Sequence, residues 1–177
     1  MADVQVAPTA TLAVWRFDAP GVAEERLPAL ERLMRNGAAD VDAAALVSWP
    51  PGHRKPSTRA LGAVTGPGAL WGGFWGMLLG LVFLTPIAGP TFGAAAGAVA
   101  GTLSDFGVED DFVKRAREAV TPGTSALFVI SSGRGVDQIT TALQDHEVCM
   151  LRTDLTHEQA RQLYAALGEE SASRVTG

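Results

Sequence analysis

The chain has 177 residues, a length that suits one ordinary domain or a small domain carrying an insertion and excludes a large multidomain enzyme. Hydrophobic residues make up 47% of the chain and charged residues 19%, so material for a core is present and the composition is not that of a disordered protein. The formal net charge is -5, which argues against a nucleic-acid partner because phosphate binding needs a concentrated basic face.

The first part of the chain predicts a strand, a helix and a second strand after a flexible N-terminus at residues 1–10. Residues 11–17 are rich in strand-forming types, and residues 41–49 form a second such run that ends at Pro-Pro-Gly. Between them, apolar residues recur at helical spacing over residues 22–35. Pro28 lies inside this helical run, and we expect it to kink the helix or to delay its start.

A long uncharged segment follows. Residues 60–104, 45 in all, contain no Asp, Glu, Lys, Arg or His. A Thr-Pro pair divides this segment into two apolar arms, at about 68–84 and 87–103, because proline interrupts a helix. Each arm just reaches the ~17 residues that the shortest membrane-spanning helices need. We therefore predict a helical hairpin, inserted at residues 60–104, whose two arms span the bilayer as a pair.

Glycines recur at every fourth position in both arms, which places each set along one side of a helix. They are Gly72, Gly76 and Gly80 in the first arm and Gly89, Gly93, Gly97 and Gly101 in the second. Because small residues let helix backbones approach closely, these glycines predict helix packing and self-association. Trp71 and Trp75 lie one turn apart near the start of the first arm, where membrane-interface aromatics are common, and core packing explains them equally well.

The residues that flank the hairpin predict its orientation. The basic ones are His53, Arg54, Lys55 and Arg59 before the first arm and Lys114, Arg115 and Arg117 after the second. Lys and Arg near membrane spans favour the cytoplasmic side, and the N-terminus lacks the pattern of a secretory signal. We expect a protein of the cytoplasmic membrane with its α/β domain in the cytoplasm. The alternative is a soluble cytoplasmic assembly.

The last part of the chain predicts alternating helices and strands. Residues 110–120 and 136–145 have helical spacing, and residues 125–131 and 148–152 are strand-like. The strand at 125–131 is apolar on both faces, so we expect it to be central in the sheet. Thr-His-Glu-Gln, beginning at Thr156, matches a capping box that opens a last helix.

The order of these elements predicts a fold class. Without the insertion, the order is βαββαβ, which is the ferredoxin-like pattern of four antiparallel strands with two helices on one face. We therefore expect an α+β, ferredoxin-like domain at residues 11–55 and 105–168, with a C-terminal helix and a flexible tail at residues 169–177.

Residue types that bind metals or act as nucleophiles are present, but their spacing matches no metal-binding or catalytic motif. The three histidines, His53, His146 and His157, form no metal-binding motif. Cys149 has no nearby cysteine partner, which favours a buried structural thiol. The acidic residues Asp105, Glu109, Asp110 and Asp111 resemble a carboxylate cluster, but the dipole of the helix that begins there explains Glu109, Asp110 and Asp111 without a metal. We predict no catalytic residue, no cofactor, no metal site and no enzymatic activity.

Four segments of the chain carry a resemblance to a known family. They are Gly-Ala-Leu-Trp-Gly-Gly-Phe-Trp-Gly-Met-Leu-Leu-Gly at residues 68–80, the glycine-rich run at 89–101, Gly-Val-Glu-Asp-Asp-Phe at 107–112 and Pro-Gly-Thr-Ser-Ala-Leu-Phe at 122–128. Together they resemble the bacterial membrane-protein family called domain of unknown function 1269. The resemblance implies a bacterial membrane protein without an assigned activity, sometimes associated with stress response, and it brings no catalytic residues.

Three functions follow from these expectations. The first is a non-enzymatic, membrane-associated protein that oligomerises through its glycine-zipper hairpin, with itself and the lipid bilayer as partners. The second is a soluble oligomeric scaffold in which the hairpins of several subunits share one core. The third is a regulator that binds a small ligand through the ferredoxin-like domain, an analogy from the fold alone.

Overall fold

The computed structural model of the chain describes residues 10–37, 41–61, 68–84, 101–131, 135–143, 149–156 and 158–163. In chain order, its elements are β1 (Ala10–Phe17), α1 (Val22–Glu25), α2 (Leu27–Arg35), β2 (Val41–Trp49), β3 (Ser57–Leu61), α3 (Gly68–Leu84), α4 (Asp110–Ala119), β4 (Thr124–Ser131), α5 (Gly135–Leu143) and β5 (Cys149–Leu155). Residues 101–105 and 158–163 are also helical. The fold is therefore α+β, as the sequence predicts.

The strands form one five-stranded sheet in the order β3-β2-β4-β1-β5. Every neighbouring pair is antiparallel. β4 is central, and all eight of its residues are buried, which confirms the prediction from its apolar composition.

The edges of the sheet differ from the sequence prediction. β3 was not predicted, because Ser-Thr-Arg-Ala-Leu lacks the apolar alternation of a half-buried strand. It is an edge strand that pairs with β2, and its residues Thr58 and Arg59 are exposed, so polar side chains suit it. At the other edge, β5 extends to Leu155, beyond the predicted end at residue 152, because every residue of β5 pairs with a residue of β1.

The predicted helix over residues 22–35 is broken into two. Arg26 lies between them as the C-cap of α1 and the N-cap of α2, and Pro28 is in the first turn of α2. Proline is tolerated in the first turn of a helix, where its missing N–H would have no intrahelical acceptor. The expected effect of Pro28 on the start of the helix is therefore confirmed.

Helices cover both faces of the sheet, so the fold has three layers. One hydrophobic cluster joins alternate sheet residues to α1, α2 and α5 through buried residues that include Ala23, Leu30 and Ile139. The cluster on the opposite face contains residues from α3, α4 and the helical residues 158–163. In β4, Leu127 and Val129 face the first cluster, as the two-residue period of a strand requires.

The last described helix begins with the predicted capping box. The Thr156 backbone N–H donates to Gln159 Oε1 at 2.9 Å, and the Gln159 backbone N–H donates to Thr156 Oγ1 at 3.1 Å. These two bonds satisfy N–H groups that have no partner within the helix. The capping-box prediction is confirmed.

The two predicted arms of the hairpin have different outcomes. The first arm is α3, with the predicted bounds and 17 residues, which gives a length of about 26 Å at ~1.5 Å per residue. Of the second arm, only residues 101–103 are described, and they are helical. In the described part of the chain, no helix combines the length and the apolar character needed to cross a membrane. The transmembrane helices expected from the sequence are thus not found there.

Some other expectations concern residues outside the described ranges. They are the flexible N-terminus before Ala10, the turn at residues 85–90, the end of the helix after residue 143, and the C-terminal tail at 169–177. Ala10 itself is buried and begins β1.

Candidate functional site

Helix α3 has a buried side and an outer side, although its sequence is apolar all round. The buried side packs on the sheet through Trp75, Leu78, Leu79, Val82 and Phe83, each at most 7% exposed. On the other side, Gly76 is exposed and Met77, Gly80 and Leu81 are half-buried. The first arm of the predicted hairpin therefore contributes one side to the core of the α/β unit and leaves the other side outside it.

Small residues on this face of the sheet leave room for the large side chains of α3, because four of the ten sheet residues in the cluster are alanines. Ala43, Ala45 and Ala126 are buried there in the same hydrophobic cluster as Trp75. The Trp75 ring meets Phe128 of β4 edge to face, with centroids 6.4 Å apart and an interplanar angle of 75°. Aromatic pairs favour this arrangement.

The C-terminal end of α3 is held at two points. The Phe83 ring meets Trp49, the last residue of β2, with centroids 5.7 Å apart and planes at 90°. Arg117 of α4 donates from Nη2 to the Leu81 carbonyl at 2.8 Å and from Nε to the Val82 carbonyl at 2.9 Å. The last four carbonyls of a helix lack intrahelical donors, and a cation also complements the negative end of the helix dipole.

The role of Arg117 was missed in the sequence analysis, which treated this residue only as a flanking charge. Its two acceptors lie 35 and 36 residues earlier in the chain. Every residue has the same backbone carbonyl, so the sequence does not indicate which distant carbonyls an arginine will bind. Only the packing of α3 on α4 brings these groups together.

The structure describes four of the seven predicted packing glycines, and all four are in helices. Gly72, Gly76 and Gly80 belong to α3. Gly76 and Gly101 are exposed, and no atom lies within 4 Å of the position that an added Cβ would occupy at either residue. The other predicted packing glycines, Gly89, Gly93 and Gly97, lie outside the described residues.

The two tryptophans predicted near a membrane interface belong to α3 as well. Trp75 is only 3% exposed and lies in the core against Phe128, which is the core-packing alternative held open for it. The side chain of Trp71 lies outside the described part of the structure.

Three of the four acidic residues considered above lie at the start of α4, whereas Asp105 is the last of the helical residues 101–105. Glu109 is the residue before the helix, and Asp110 and Asp111 are in its first turn. Within the described ranges, no three His, Cys, Asp or Glu side chains come together in a group that could hold a metal ion. His146, His157 and the side chain of Cys149 lie outside those ranges.

The sequence matches a protein family described as "Protein of unknown function (DUF1269)" over residues 69–168, more than half of the chain. The match begins within α3 and extends past β5, so it includes β4 and β5, whereas the other three strands of the sheet, β1, β2 and β3, lie outside it. No curated protein and no solved structure matches the chain. The resemblance seen in the glycine-rich segment and the residues that follow it is confirmed, and the chain belongs to the DUF1269 family of proteins of unknown function.

Proposed function

We propose that this protein is a non-enzymatic, self-associating protein whose copies meet through the outer side of α3, which carries Gly76 and Gly80. The observation that carries the proposal is the position of Gly76. It is exposed on an apolar helix whose opposite side is buried against the sheet.

The fold of a single chain does not account for a glycine at this position. Glycine costs about 1 kcal/mol relative to alanine inside a helix. At Gly76 an added Cβ meets no atom within 4 Å, so alanine would fit without a clash. Gly101, in the helical residues 101–105, has the same open surroundings. A close contact with another helix would explain both glycines, because it needs a surface without side chains.

A second copy of the chain is the occupant that suits this surface. α3 carries no charged residue, so burying its outer side would leave no unpaired charge behind. Met77 and Leu81 pack against the core cluster and are only half-buried, so the exposed part of each side chain would supply apolar contact area beside Gly76. Two identical surfaces can meet about a two-fold axis, with the same residues contributed by each copy.

Gly76→Leu tests this proposal. The added side chain has room in the single chain and would separate the backbones of two α3 helices in an assembly. Gly21→Leu is the matched control, since Gly21 is also exposed and open but precedes α1, on the opposite face of the sheet. We expect Gly76→Leu to reduce the native mass and Gly21→Leu to leave it unchanged. Equal masses for all three proteins would contradict the proposal.

Membrane association is a second candidate function, and a specific feature supports it. Residues 60–104 contain no charged residue, and α3 presents the uncharged residues Gly76, Met77 and Leu81 on its outer side. We propose that this segment attaches the protein to the cytoplasmic membrane while the α/β part stays in the cytoplasm. Recovery of the native protein in the membrane fraction after carbonate washing is expected, whereas recovery in the cytosolic fraction would favour the soluble assembly instead.

We also propose that the α/β part is a ferredoxin-like unit. The order β2-β4-β1-β5, antiparallel throughout, supports this, because it is the order that two interlocked βαβ units produce. The location of α1, α2 and α5 on one face of the sheet is a second argument. In this interpretation, β3 is an added edge strand and α3 covers the face that a two-layer ferredoxin-like domain leaves open.

A further inference from the structure

The turn between β2 and β3 concentrates positive charge in an acidic protein. His53, Arg54 and Lys55 are consecutive and exposed, and we name these three residues the basic turn. The chain as a whole has a net charge of -5. Among the described residues, no carboxylate forms an ion pair with Arg54 or Lys55, whereas Arg59 on β3 pairs with Glu24 at 3.6 Å.

The backbone of the basic turn is held in place by hydrogen bonds at its base. The Trp49 indole Nε1 donates to the His53 carbonyl at 2.8 Å, and the His53 backbone N–H donates to the Pro50 carbonyl at 3.3 Å. The Gly123 backbone N–H donates to the Trp49 carbonyl at 2.7 Å. Gly52 has a φ of 82°, a conformation that glycine adopts readily. The turn therefore presents its cations from a fixed backbone, which lowers the entropy lost when they bind a partner.

The basic turn lies at the end of the fold where α3 stops. Trp49, whose indole holds the turn, packs against Phe83 in the last turn of α3. Arg117, which binds the last carbonyls of α3, adds a cation at the same end. The acidic group at Asp110 and Asp111 lies at the opposite end of α4, about 10 Å along the helix from Arg117 at ~1.5 Å per residue. From Leu84 onward the sequence continues without charge to residue 104.

A partner for this end of the molecule must accept the cations of the basic turn beside α3, an apolar helix that carries no charged residue. An anionic lipid bilayer has both properties, because negative headgroups border hydrocarbon. Nucleic acid fits less well, since its affinity comes from many cations along a continuous track and the protein is acidic overall. We infer that the basic turn contacts the anionic headgroups of a lipid bilayer. This inference rests on the proposed membrane association and adds the class of lipid to it.

The test compares binding of the purified full chain to two kinds of vesicle, one of phosphatidylcholine alone and one that also contains phosphatidylglycerol. The variant Arg54→Gln/Lys55→Gln removes two cations from the basic turn. Arg32→Gln/Arg35→Gln is the matched control, because it removes two exposed cations from α2, on the opposite face of the sheet. Each cation near an anionic surface contributes about a five-fold gain in affinity, so we expect a loss of about 25-fold for the turn variant on anionic vesicles at low salt.

The possible results separate this inference from the proposed function. Preference of the wild type and the control for anionic vesicles, lost in the turn variant, would support the inference. Equal binding of all proteins to both vesicles would overturn it while leaving membrane association intact. Equal loss in the turn variant and the control would assign the effect to net charge and would also overturn it. Failure of the wild type to bind either vesicle would contradict the membrane proposal itself.

A nucleic-acid arm completes the test. Short single-stranded RNA and duplex DNA are offered to the same three proteins at the same low salt. We expect no difference between the turn variant and the control. A loss of nucleic-acid binding confined to the turn variant, with vesicle binding unchanged, would assign the basic turn to nucleic acid and overturn the lipid inference.

Discussion

Arg117 connects two helices on the same face of the sheet. Its guanidinium donates to the carbonyls of Leu81 and Val82 at 2.8 and 2.9 Å, and it is half-buried between α4 and the end of α3. Hydrogen bonds from a charged donor contribute more than neutral ones. Arg117 is therefore a residue on which the position of α3 depends.

Arg117→Met tests this role. The variant keeps an unbranched apolar chain and removes both donors, so we expect the free energy of unfolding to fall by about 1 to 3 kcal/mol. Arg115→Met is the control on the same helix. Its guanidinium pairs with Asp111 at 3.1 Å at an exposed site, and such pairs contribute about 0.5 kcal/mol or less. Similar losses in the two variants, measured by urea unfolding, would contradict the structural role of Arg117.

Gly107 provides a second test at the scale of one residue. Its φ is 91°, and an added Cβ would lie 2.6 Å from Leu155 Cδ2 and 2.8 Å from Gln159 Oε1. The Gln159 oxygen accepts the capping bond from Thr156, so moving it would break that bond. We expect Gly107→Ala to lower the free energy of unfolding by about 2 to 5 kcal/mol, the sum of backbone strain and overpacking.

Gly37→Ala is the control for Gly107→Ala. Gly37 also has a positive φ, 67°, but an added Cβ meets no atom within 4 Å. At Gly37 only the strain of the backbone conformation remains, so we expect the free energy of unfolding to fall by about 1 to 2 kcal/mol. If thermal unfolding shows the same loss for both variants, the close approach of Gly107 to the capping box is not as described.

The distance between partners along the chain explains which residue roles could be predicted. Thr156 and Gln159 are three residues apart, and their residue types alone indicate a capping box, which the structure contains. Arg117 and its acceptors are more than 30 residues apart and share no such pattern. Sequence reasoning therefore identified the local pair and missed the distant one.

At the scale of elements, α3 was predicted with its bounds, but the side that faces the sheet was not. Prediction of an inward side depends on a contrast between apolar and polar sides of a helix. α3 has no charged residue and no such contrast. Its orientation follows instead from packing, in which Trp75 and Phe83 meet aromatic partners on β4 and β2. β3 could not be predicted for a different reason. An exposed edge strand needs no alternation of apolar residues, so its sequence carries no pattern that indicates a strand.

Leu78→Ala tests the orientation of α3. Leu78 is fully buried on the sheet side, so the cavity and the lost burial are expected to cost about 2 to 5 kcal/mol. Leu81→Ala removes the same atoms from a half-buried side chain and serves as the control, with an expected cost of about 1 kcal/mol. The measurement is chemical unfolding of the full chain. Equal costs would indicate that α3 does not bury this side against the sheet.

For the whole molecule, the arrangement of layers decides which surface of the apolar segment is available to a partner. The sheet is covered by α1, α2 and α5 on one face and by α3, α4 and the helical residues 158–163 on the other. α3 has one side in the core and carries an exposed glycine on the other. We propose that copies of the protein associate through this outer side.

Oxidative crosslinking at Gly76 tests that claim most directly. In a Cys149→Ser background, Gly76→Cys places a thiol on the outer side of α3, and Gly21→Cys places one at an equally exposed and open position on the opposite face. If two copies meet through α3 with Gly76 beside the two-fold axis, the two thiols introduced at position 76 lie within disulfide range, with Cα atoms about 4.4–6.8 Å apart. The account predicts a disulfide-linked dimer from Gly76→Cys and little from Gly21→Cys on non-reducing gels. Equal crosslinking of the two variants, or none from Gly76→Cys, would contradict it.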